Sequence, residues 1–147
     1  MDAPSQSIFG QITIEDMRKN GLLTKTVLPL IKKAVDKGDG GHTVESVVDG
    51  LISGRYLLWG AMKPPATLQA VAVTMVDDRA YKVLMLGGPS FDDVRAFFQF
   101  LPRLDHQARA AKCVRMLIVG GLNWRDCLPD GWRPVATIYE HRLAPEA

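Results

Sequence analysis

Two stretches of the chain share one pattern of apolar and polar positions. Val83–Leu86 and Met116–Val119 are both unbroken apolar runs, and each is followed by a pair of glycines. An amphipathic, helix-like stretch lies between them. A short apolar run of this kind is typical of a strand buried on both faces, as in a parallel sheet. The doubled pattern therefore predicts a β-α-β unit with two parallel strands, and a ligand site beyond their carboxyl ends, where the glycines lie.

The first third of the chain predicts one strand and two helices. Isoleucines in period two predict a strand over about 7–14. Apolar residues at helical spacing predict a helix over about 22–37, in which Pro29 either bends the helix or marks its start. A second helical pattern covers 43–53, with Thr43 as its N-cap.

The middle of the chain predicts an antiparallel meander. Three apolar stretches joined by short polar turns predict strands over 56–61, 68–76 and 81–86. Strict alternation along the second of these strands places Leu68 on the same face as Thr74.

A long helix is predicted after the meander, to about residue 111. Ser90 and Asp93 have the spacing of a capping box at its start. Pro102 lies inside the pattern and should bend the helix near Phe98, because proline removes one backbone donor.

The last third predicts a second parallel strand, a short helix and a final strand. The parallel strand covers 112–119, and Asn123 caps a helix over about 124–129. The stretch from Trp132 to Leu143 is then a last strand, or two strands with a bend at Pro134. The predicted order is β-α-α-β-β-β-α-β-α-β, which is an α+β (α/β) fold class.

Composition makes the chain an ordinary globular protein. Its 147 residues predict a single domain over 1–147, with a core at about 8–143, and 47% hydrophobic residues suffice for a real core. A net charge of +2 gives no nucleic-acid signal. No signal peptide or membrane-spanning run is found, and Cys113 and Cys127 lack metal-ligand or C-x-x-C spacing. We therefore expect a cytoplasmic protein without a metal.

The helix predicted over 22–37 and the residues just before it are basic. This region carries Arg18, Lys19, Lys25, Lys32, Lys33 and Lys37. Such a cluster is either a solvated helix face or a surface for an anionic partner.

The order of elements over 8–143 resembles the GCN5-related N-acetyltransferase (GNAT) superfamily. The run Met116–Val119 followed by Asn123, and Gly131-Trp132 before a last strand, are similar to that superfamily's pattern. The chain also looks like small acetyltransferase-like proteins encoded by tailed bacteriophages. The resemblance implies a mixed central sheet, in which a meander precedes a parallel β-α-β unit, with helices on both faces.

The resemblance also implies a groove for acetyl-CoA between two splayed parallel strands. The pantetheine arm would pair with free backbone groups there, as an added strand does. The diphosphate would lie at the start of the long helix. The cofactor-binding residues implied are Met85, Leu86, Gly87, Gly88, Ser90 and Asn123.

The loop at the predicted diphosphate site departs from the superfamily. It reads Gly-Gly-Pro-Ser-Phe-Asp-Asp over 87–93 and has no basic residue. Pro89 removes one amide donor, and Asp92 and Asp93 repel a diphosphate by about 0.3–1 kcal/mol each. The sequence therefore predicts weak or no binding of acetyl-CoA.

No catalytic residue can be assigned from the sequence. The meander has no Glu or Asp before Asp77, and the predicted short helix carries no Tyr. His42 lies in a loop that could approach an acceptor site, and Cys127 has no His nearby in the sequence. Dinucleotide-binding and P-loop motifs are absent from the sequence.

Two functional hypotheses remain. The first is a binding or structural component, of a virion or of a phage–host interaction, with a protein partner or self-association through the edge strand Val135–Tyr139. The alternative is an acyl-CoA-dependent N-acetyltransferase with an unusual coenzyme loop.

Overall fold

The computed structural model describes residues 8–37, 41–63, 67–119 and 127–136, together with His141 and Leu143. The strands are β1 Ile8–Ile12, β2 Leu57–Lys63, β3 Thr67–Asp77, β4 Ala80–Gly87 and β5 Arg115–Ile118. The helices are α1 Ile14–Lys19, α2 Gly21–Lys37, α3 Val44–Ser53, α4 Phe91–Ala96, a 3-10 helix Phe97–Phe100 and α5 Leu101–Ala110. None of the helices in these ranges is long and apolar enough to cross a membrane.

The strands form one mixed sheet in the order β1-β2-β3-β4-β5. The first four strands are antiparallel neighbours, and β5 pairs with β4 in parallel. The helices between β4 and β5 make the crossover that a parallel pair requires. The predicted fold class, a meander followed by a parallel β-α-β unit, is confirmed.

An aromatic core fills the face of the sheet covered by α4, the 3-10 helix and α5. The Phe9 ring stacks on Trp59 with a centroid distance of 5.4 Å and on Phe100 at 4.9 Å, and the Phe97 ring meets it edge-on at 5.6 Å. Stacked and edge-on pairs at these distances add to the stabilisation from burial alone.

An aliphatic core fills the opposite face, beneath α2 and α3. Its fully buried members include Val27, Ile31, Val47, Leu58 and Val73. Helices therefore cover both faces of the sheet, as predicted. Since both faces are covered, the central strands read in the sequence as near-continuous apolar runs.

The first strand is shorter than predicted, because a helix starts where the strand was expected to continue. Thr13 Oγ1 accepts a hydrogen bond from the Asp16 N–H at 3.0 Å, and Asp16 Oδ2 accepts one from the Thr13 N–H at 2.9 Å. This capping box begins α1 at Ile14. The prediction of a strand to residue 14 is wrong beyond Ile12, since period-two isoleucines do not outweigh a complete helix cap.

Helix α2 agrees with the helix predicted over about 22–37 and continues through Pro29. Asn20 Oδ1 accepts a hydrogen bond from the Leu23 N–H at 3.1 Å, which satisfies a donor of the first turn. Pro29 lies inside the helix. The alternative that Pro29 marks the start of the helix is therefore wrong. Helix α3 begins after Thr43 and ends before Gly54, as predicted.

A β-bulge changes which face of β3 its first residues occupy. The pairing with β2 steps from Ala70 to Leu68 and passes over Gln69. Leu68 therefore packs in the aliphatic core, whereas Ala70 packs in the aromatic core, on the side of Thr74. The prediction that Leu68 shares a face with Thr74 is wrong, because one extra residue reverses the alternation.

Pro102 interrupts the long predicted helix, as expected, but the chain restarts rather than bends. Helix α4 ends at Ala96, the 3-10 helix follows, and α5 begins at Leu101 with Pro102 in its first turn. A proline is accommodated in a first turn, since its missing N–H would have no helical partner there.

The end of the chain departs from the prediction. The parallel strand β5 covers only Arg115–Ile118, and the described residues from Gly131 to Ala136 form no strand. Gly131 has a φ of 97°, and Pro134 cannot donate a ladder hydrogen bond. The predicted final strand is thus wrong over 132–136. The short helix predicted over 124–129 is wrong over 127–129, which form no helix. Residues 124–126 and 137–140 lie outside the described residues.

Candidate functional site

Strand β4 consists of two halves with different neighbours. Its first half, Ala80–Val83, pairs with β3 on one side and with Arg115–Ile118 of β5 on the other. The pairing with β5 ends where the Val119 N–H donates to Val83 O at 3.0 Å. The second half, Leu84–Gly87, pairs with β3, and within the described ranges no strand lies on its other side. We call this second half the open edge of β4.

A second β-bulge lies where the open edge begins. In the pairing of β3 with β4, Thr74 is opposite Val83 but Val73 is opposite Met85, so the register passes over Leu84. Leu84 and Met85 both pack against the aliphatic core. An inserted residue bends and twists its strand. The bulge therefore gives a local geometric reason for β4 to leave β5 after Val83.

The glycine pair after the apolar run of β4 is needed for packing. A Cβ at Gly87 would overlap the backbone carbonyl of Leu30 in α2. A Cβ at Gly88 would lie 2.9 Å from Val94 Cγ2 and 3.0 Å from Gln69 O. Neither glycine has a positive φ. Glycine is therefore required at these positions because it has no side chain, and not because of its backbone flexibility. A role of the pair in ligand binding stays a prediction.

The loop after β4 ends in a cap formed by Ser90. The Asp93 N–H donates to Ser90 Oγ at 3.2 Å, and that hydroxyl donates to Asp93 Oδ2 at 2.8 Å. The predicted partnership of Ser90 and Asp93 is confirmed, in a side-chain form that differs from a full capping box. Beside it, Arg95 lies 3.8 Å from an Asp92 carboxylate oxygen. A cation therefore accompanies one of the two acidic residues.

The structure brings a lysine to this loop from another part of the chain. Lys33 Nζ, on α2, donates a hydrogen bond to Pro89 O at 3.1 Å. The sequence showed a loop without a basic residue, and the fold supplies one. Reasoning from the sequence missed this contact because the two residues belong to different predicted elements. The only signal was the basic helix, for which a solvated face and a binding surface had both been left open.

The predicted coenzyme-binding residues on β4 offer mainly their backbone. The side chain of Met85 is buried in the aliphatic core, and that of Leu86 packs against the aromatic core. Gly87 and Gly88 are buried, and Ser90 is exposed. A role of these residues in binding a coenzyme stays a prediction. Asn123, the residue expected on the opposite wall, lies outside the described residues.

The buried hydroxyls of the meander form a closed cluster inside the aromatic core. Thr74 Oγ1 accepts hydrogen bonds from Trp59 Nε1 at 2.9 Å and from Tyr81 Oη at 3.2 Å. Burial raises the pKa of the Tyr81 phenol above its usual value. Thr74 is fully buried. We therefore assign this cluster to the stability of the first half of β4 and not to chemistry.

The structure assigns no catalytic role to the other residues considered from the sequence. The His42 ring meets Tyr56 edge-on at 6.3 Å, and Cys127 packs against the aromatic core. A hydrogen bond from Lys82 at 2.8 Å lowers the pKa of Asp77, the first carboxylate of the meander. In the part of the chain that the structure describes, no group of His, Cys, Asp and Glu could hold a metal.

A concave region lies between β1 and α5. The Arg103 guanidinium lies 6.0 Å from the centroid of the Phe9 ring and donates a long hydrogen bond of 3.5 Å to Phe9 O. This groove, of about 570 Å³, is lined by Phe9, Gly10, Trp59, Pro102, Arg103, His106 and Gln107. No pattern in the sequence indicates this groove, because its two sides are far apart along the chain.

Comparisons with known proteins show what this arrangement resembles. No protein-family model matches the chain, and no curated protein matches its sequence. A GNAT family acetyltransferase from Staphylococcus aureus is 13% identical with a TM-score of 0.58, and covers 94% of this chain and 99% of its own. Aminoglycoside N-acetyltransferase AAC(6')-Iy, solved in complex with CoA, is 13% identical with a TM-score of 0.59, covering 97% and 98%.

A third similar structure comes from a plant enzyme. Glucosamine-6-phosphate N-acetyltransferase from Arabidopsis thaliana is 10% identical with a TM-score of 0.56, and covers 92% of this chain and 99% of its own. At such low identities the likeness concerns the fold alone. That likeness agrees with the mixed α+β architecture described above, in which four antiparallel strands are followed by a parallel β4-β5 pair. The chain has the fold of the GNAT acetyltransferases.

Proposed function

We propose that the chain binds acyl-CoA along the open edge of β4 and acts as an acyl-CoA-dependent N-acyltransferase. The observation that carries this proposal is that β4 continues over Leu84–Gly87 after its pairing with β5 has ended at Val83. Backbone N–H and C=O groups at a strand edge pair readily with an extended ligand that carries amides. A pantetheine arm is such a ligand.

The residues of this chain fit that ligand in two respects. The side chains of Met85 and Leu86 are engaged in the two cores, so their backbone is what a ligand would meet. Lys33 provides a positive charge beside Pro89, where the sequence alone showed only acids nearby. Bound acyl-CoA would supply a thioester, whose acyl carbon a neutral amine attacks while the CoA thiol leaves.

The loop still carries one feature that weakens the attraction of a diphosphate. Asp92 is exposed in the first turn of α4, and its side chain remains 85% exposed beside Arg95. We expect D92N to tighten acetyl-CoA binding about twofold to fivefold, since a like charge in the first turn costs about 0.3–1 kcal/mol. Asp93 is a poorer target, because it also holds the Ser90 cap.

Binding and its location can be measured together. We expect isothermal titration calorimetry with acetyl-CoA to give saturable binding. Hydrogen exchange should then show slower exchange over Leu84–Gly87 in the complex, while the amides of α3 are unchanged. An absence of heat together with unchanged exchange over the open edge would overturn the proposal.

A second candidate is a fold kept without catalysis, as a binding or structural component, including the virion or phage–host role that the resemblance to phage proteins suggests. One observation favours it: the only carboxylate on β2, β3 and β4 is Asp77, and it accepts a hydrogen bond from Lys82. These strands therefore offer no other carboxylate as a general base. Release of free CoA thiol from acetyl-CoA in the presence of a panel of amines separates the two candidates. Thiol release that depends on an amine supports the enzyme, and tight binding without turnover supports the second candidate.

A further inference from the structure

We propose that Lys33 of α2 is the phosphate-binding cation of this site, supplied from a different element than the loop itself. This inference rests on the binding of acyl-CoA proposed above. From Val83 to Val94 the chain has no lysine or arginine. Lys33 Nζ nevertheless lies 3.1 Å from Pro89 O, in the middle of that stretch.

The contact compensates for a specific deficiency of the loop. Pro89 has no N–H, so the loop lacks one of the backbone donors that a phosphate-binding loop uses. The ammonium of Lys33 reaches the same residue with three donors, of which Pro89 O accepts one. Lysine binds phosphates as a compact point charge. The loop therefore lacks an N–H donor at Pro89 and has a charged donor beside the carbonyl of the same residue.

Packing fixes the part of α2 that carries Lys33. One helical turn earlier, the backbone of Leu30 is in such close contact with Gly87 that no Cβ would fit there. Ala34 Cβ would lie 3.2 Å from the same added Cβ. Residues three apart lie on the same side of a helix, so the contact that fixes Leu30 against β4 also directs Lys33 toward the loop. Lys33 itself stays exposed.

The neighbouring lysine provides a matched control. Lys32 belongs to the same helix, but its Nζ lies 2.9 Å from Asp36 and its side chain is 66% exposed. Its charge is therefore engaged within α2 and not at the loop. K32Q and K33Q remove the same charge from adjacent positions of one helix, and both keep a good helix-forming residue.

The experiment compares two ligands that share one thioester arm. Acetyl-CoA continues from that arm into a diphosphate and a 3'-phosphorylated adenosine, and acetyl-pantetheine ends before them and carries no phosphate. Both are titrated into the wild-type protein and into K33Q, K33R and K32Q, with calorimetry for the first ligand and NMR shift perturbation for the second. The acetyl-CoA titration is repeated at two salt concentrations.

We expect K33Q to weaken acetyl-CoA binding roughly threefold to tenfold. A loss of this size lies between the contribution of an exposed ion pair and that of a hydrogen bond to a charged group. Binding of acetyl-pantetheine to K33Q should stay within about twofold of wild type, because that ligand has no phosphate for the charge to meet. K33R should recover most of the lost acetyl-CoA affinity, and K32Q should bind acetyl-CoA as tightly as wild type does. The salt dependence of acetyl-CoA binding should be weaker in K33Q than in wild type.

Four outcomes would overturn the inference. If K33Q and K32Q change the affinity for acetyl-CoA equally, the net positive charge of α2 matters and not the position of Lys33. Equal losses for both ligands in K33Q would show that Lys33 acts by tying down the loop. If acetyl-pantetheine and acetyl-CoA bind equally well to the wild-type protein, no phosphate site exists although the proposed function stands. If neither ligand binds, the proposed function fails as well.

Discussion

The two halves of β4 differ in a way that their sequences do not reveal. Ala80–Val83 has a strand on each side, whereas Leu84–Gly87 has β3 on one side and an open edge on the other within the described residues. Both halves are largely apolar, because both faces of the sheet are covered by helices. An apolar run reports the burial of side chains above and below the sheet, and it carries no information about backbone pairing at the strand edge.

The two halves are also held by different means. The first half contributes Tyr81 and Val83 to the aromatic core, where Tyr81 joins the hydroxyl cluster at Thr74. The second half is held by α2, whose backbone lies directly against Gly87. Among the described residues this segment has a strand on one side only, and α2 packs against its face. The helix therefore fixes the segment through a contact that leaves its edge free to pair.

The largest effect is expected from placing a side chain between α2 and the open half. G87V must displace the backbone of Leu30, and we expect it to lower the free energy of unfolding by about 3 kcal/mol. The matched control is G10V in the edge strand β1, where an added Cβ meets nothing within 4 Å. Urea denaturation measures both variants. Equal stability of G87V and G10V would mean that α2 does not hold the open half.

Truncating the last residue of the paired half should destabilise the protein more than truncating the bulged residue next to it, although the second truncation removes more atoms. Val83 is 1% exposed, and V83A should cost about 1.5–2.5 kcal/mol. Leu84 is only half-buried, so L84A should cost less although it removes more carbon atoms. Chemical denaturation gives both values. A larger loss for L84A would indicate that the bulged residue is part of the main core.

Removing the Tyr81 hydroxyl should weaken the paired half modestly. Y81F should lower the free energy of unfolding at neutral pH by about 1 kcal/mol, since it deletes a buried hydrogen bond to Thr74. Burial raises the Tyr81 pKa, so its contribution to stability is complete below the unfolded-state value of about 10 and is lost as pH rises through the folded-state pKa. The difference in the free energy of unfolding between wild type and Y81F should therefore decrease above about pH 10. Denaturation at several pH values measures it. A gap that widens with pH would contradict this assignment.

The smallest effect concerns the turn that leads into β4. Lys82 Nζ lies 2.8 Å from Asp77 Oδ2, and this hydrogen bond lowers the Asp77 pKa. Any stabilisation from it is present above the unfolded carboxyl pKa and is lost as pH falls through the folded-state value. In K82Q we expect the Asp77 pKa, measured by NMR, to rise toward its ordinary value. The pKa of Asp16, which the backbone N–H of Thr13 lowers, serves as the internal control and should not move.

Local signals in the sequence determined most of the element order. Thr43 and Gly54 bound α3, Ser90 caps α4, and Pro102 divides the long helical stretch, all through contacts within a few residues. The doubled apolar run led to the parallel pair of β4 and β5. Where a local signal was overlooked, as at Thr13 and Asp16, the prediction was wrong although the cap is visible in the sequence.

Tertiary structure decided the features that the candidate site depends on. The bulges at Gln69 and Leu84 arise from the pairing of whole strands, and no residue type marks them in the sequence. The close contact of Leu30 with Gly87, and the lysine that α2 brings to Pro89, join segments that are remote along the chain. Caps and turns follow from the sequence because their partners are a few residues apart. The open edge and its cation depend on how the sheet and α2 pack against each other, and only the folded chain specifies that packing.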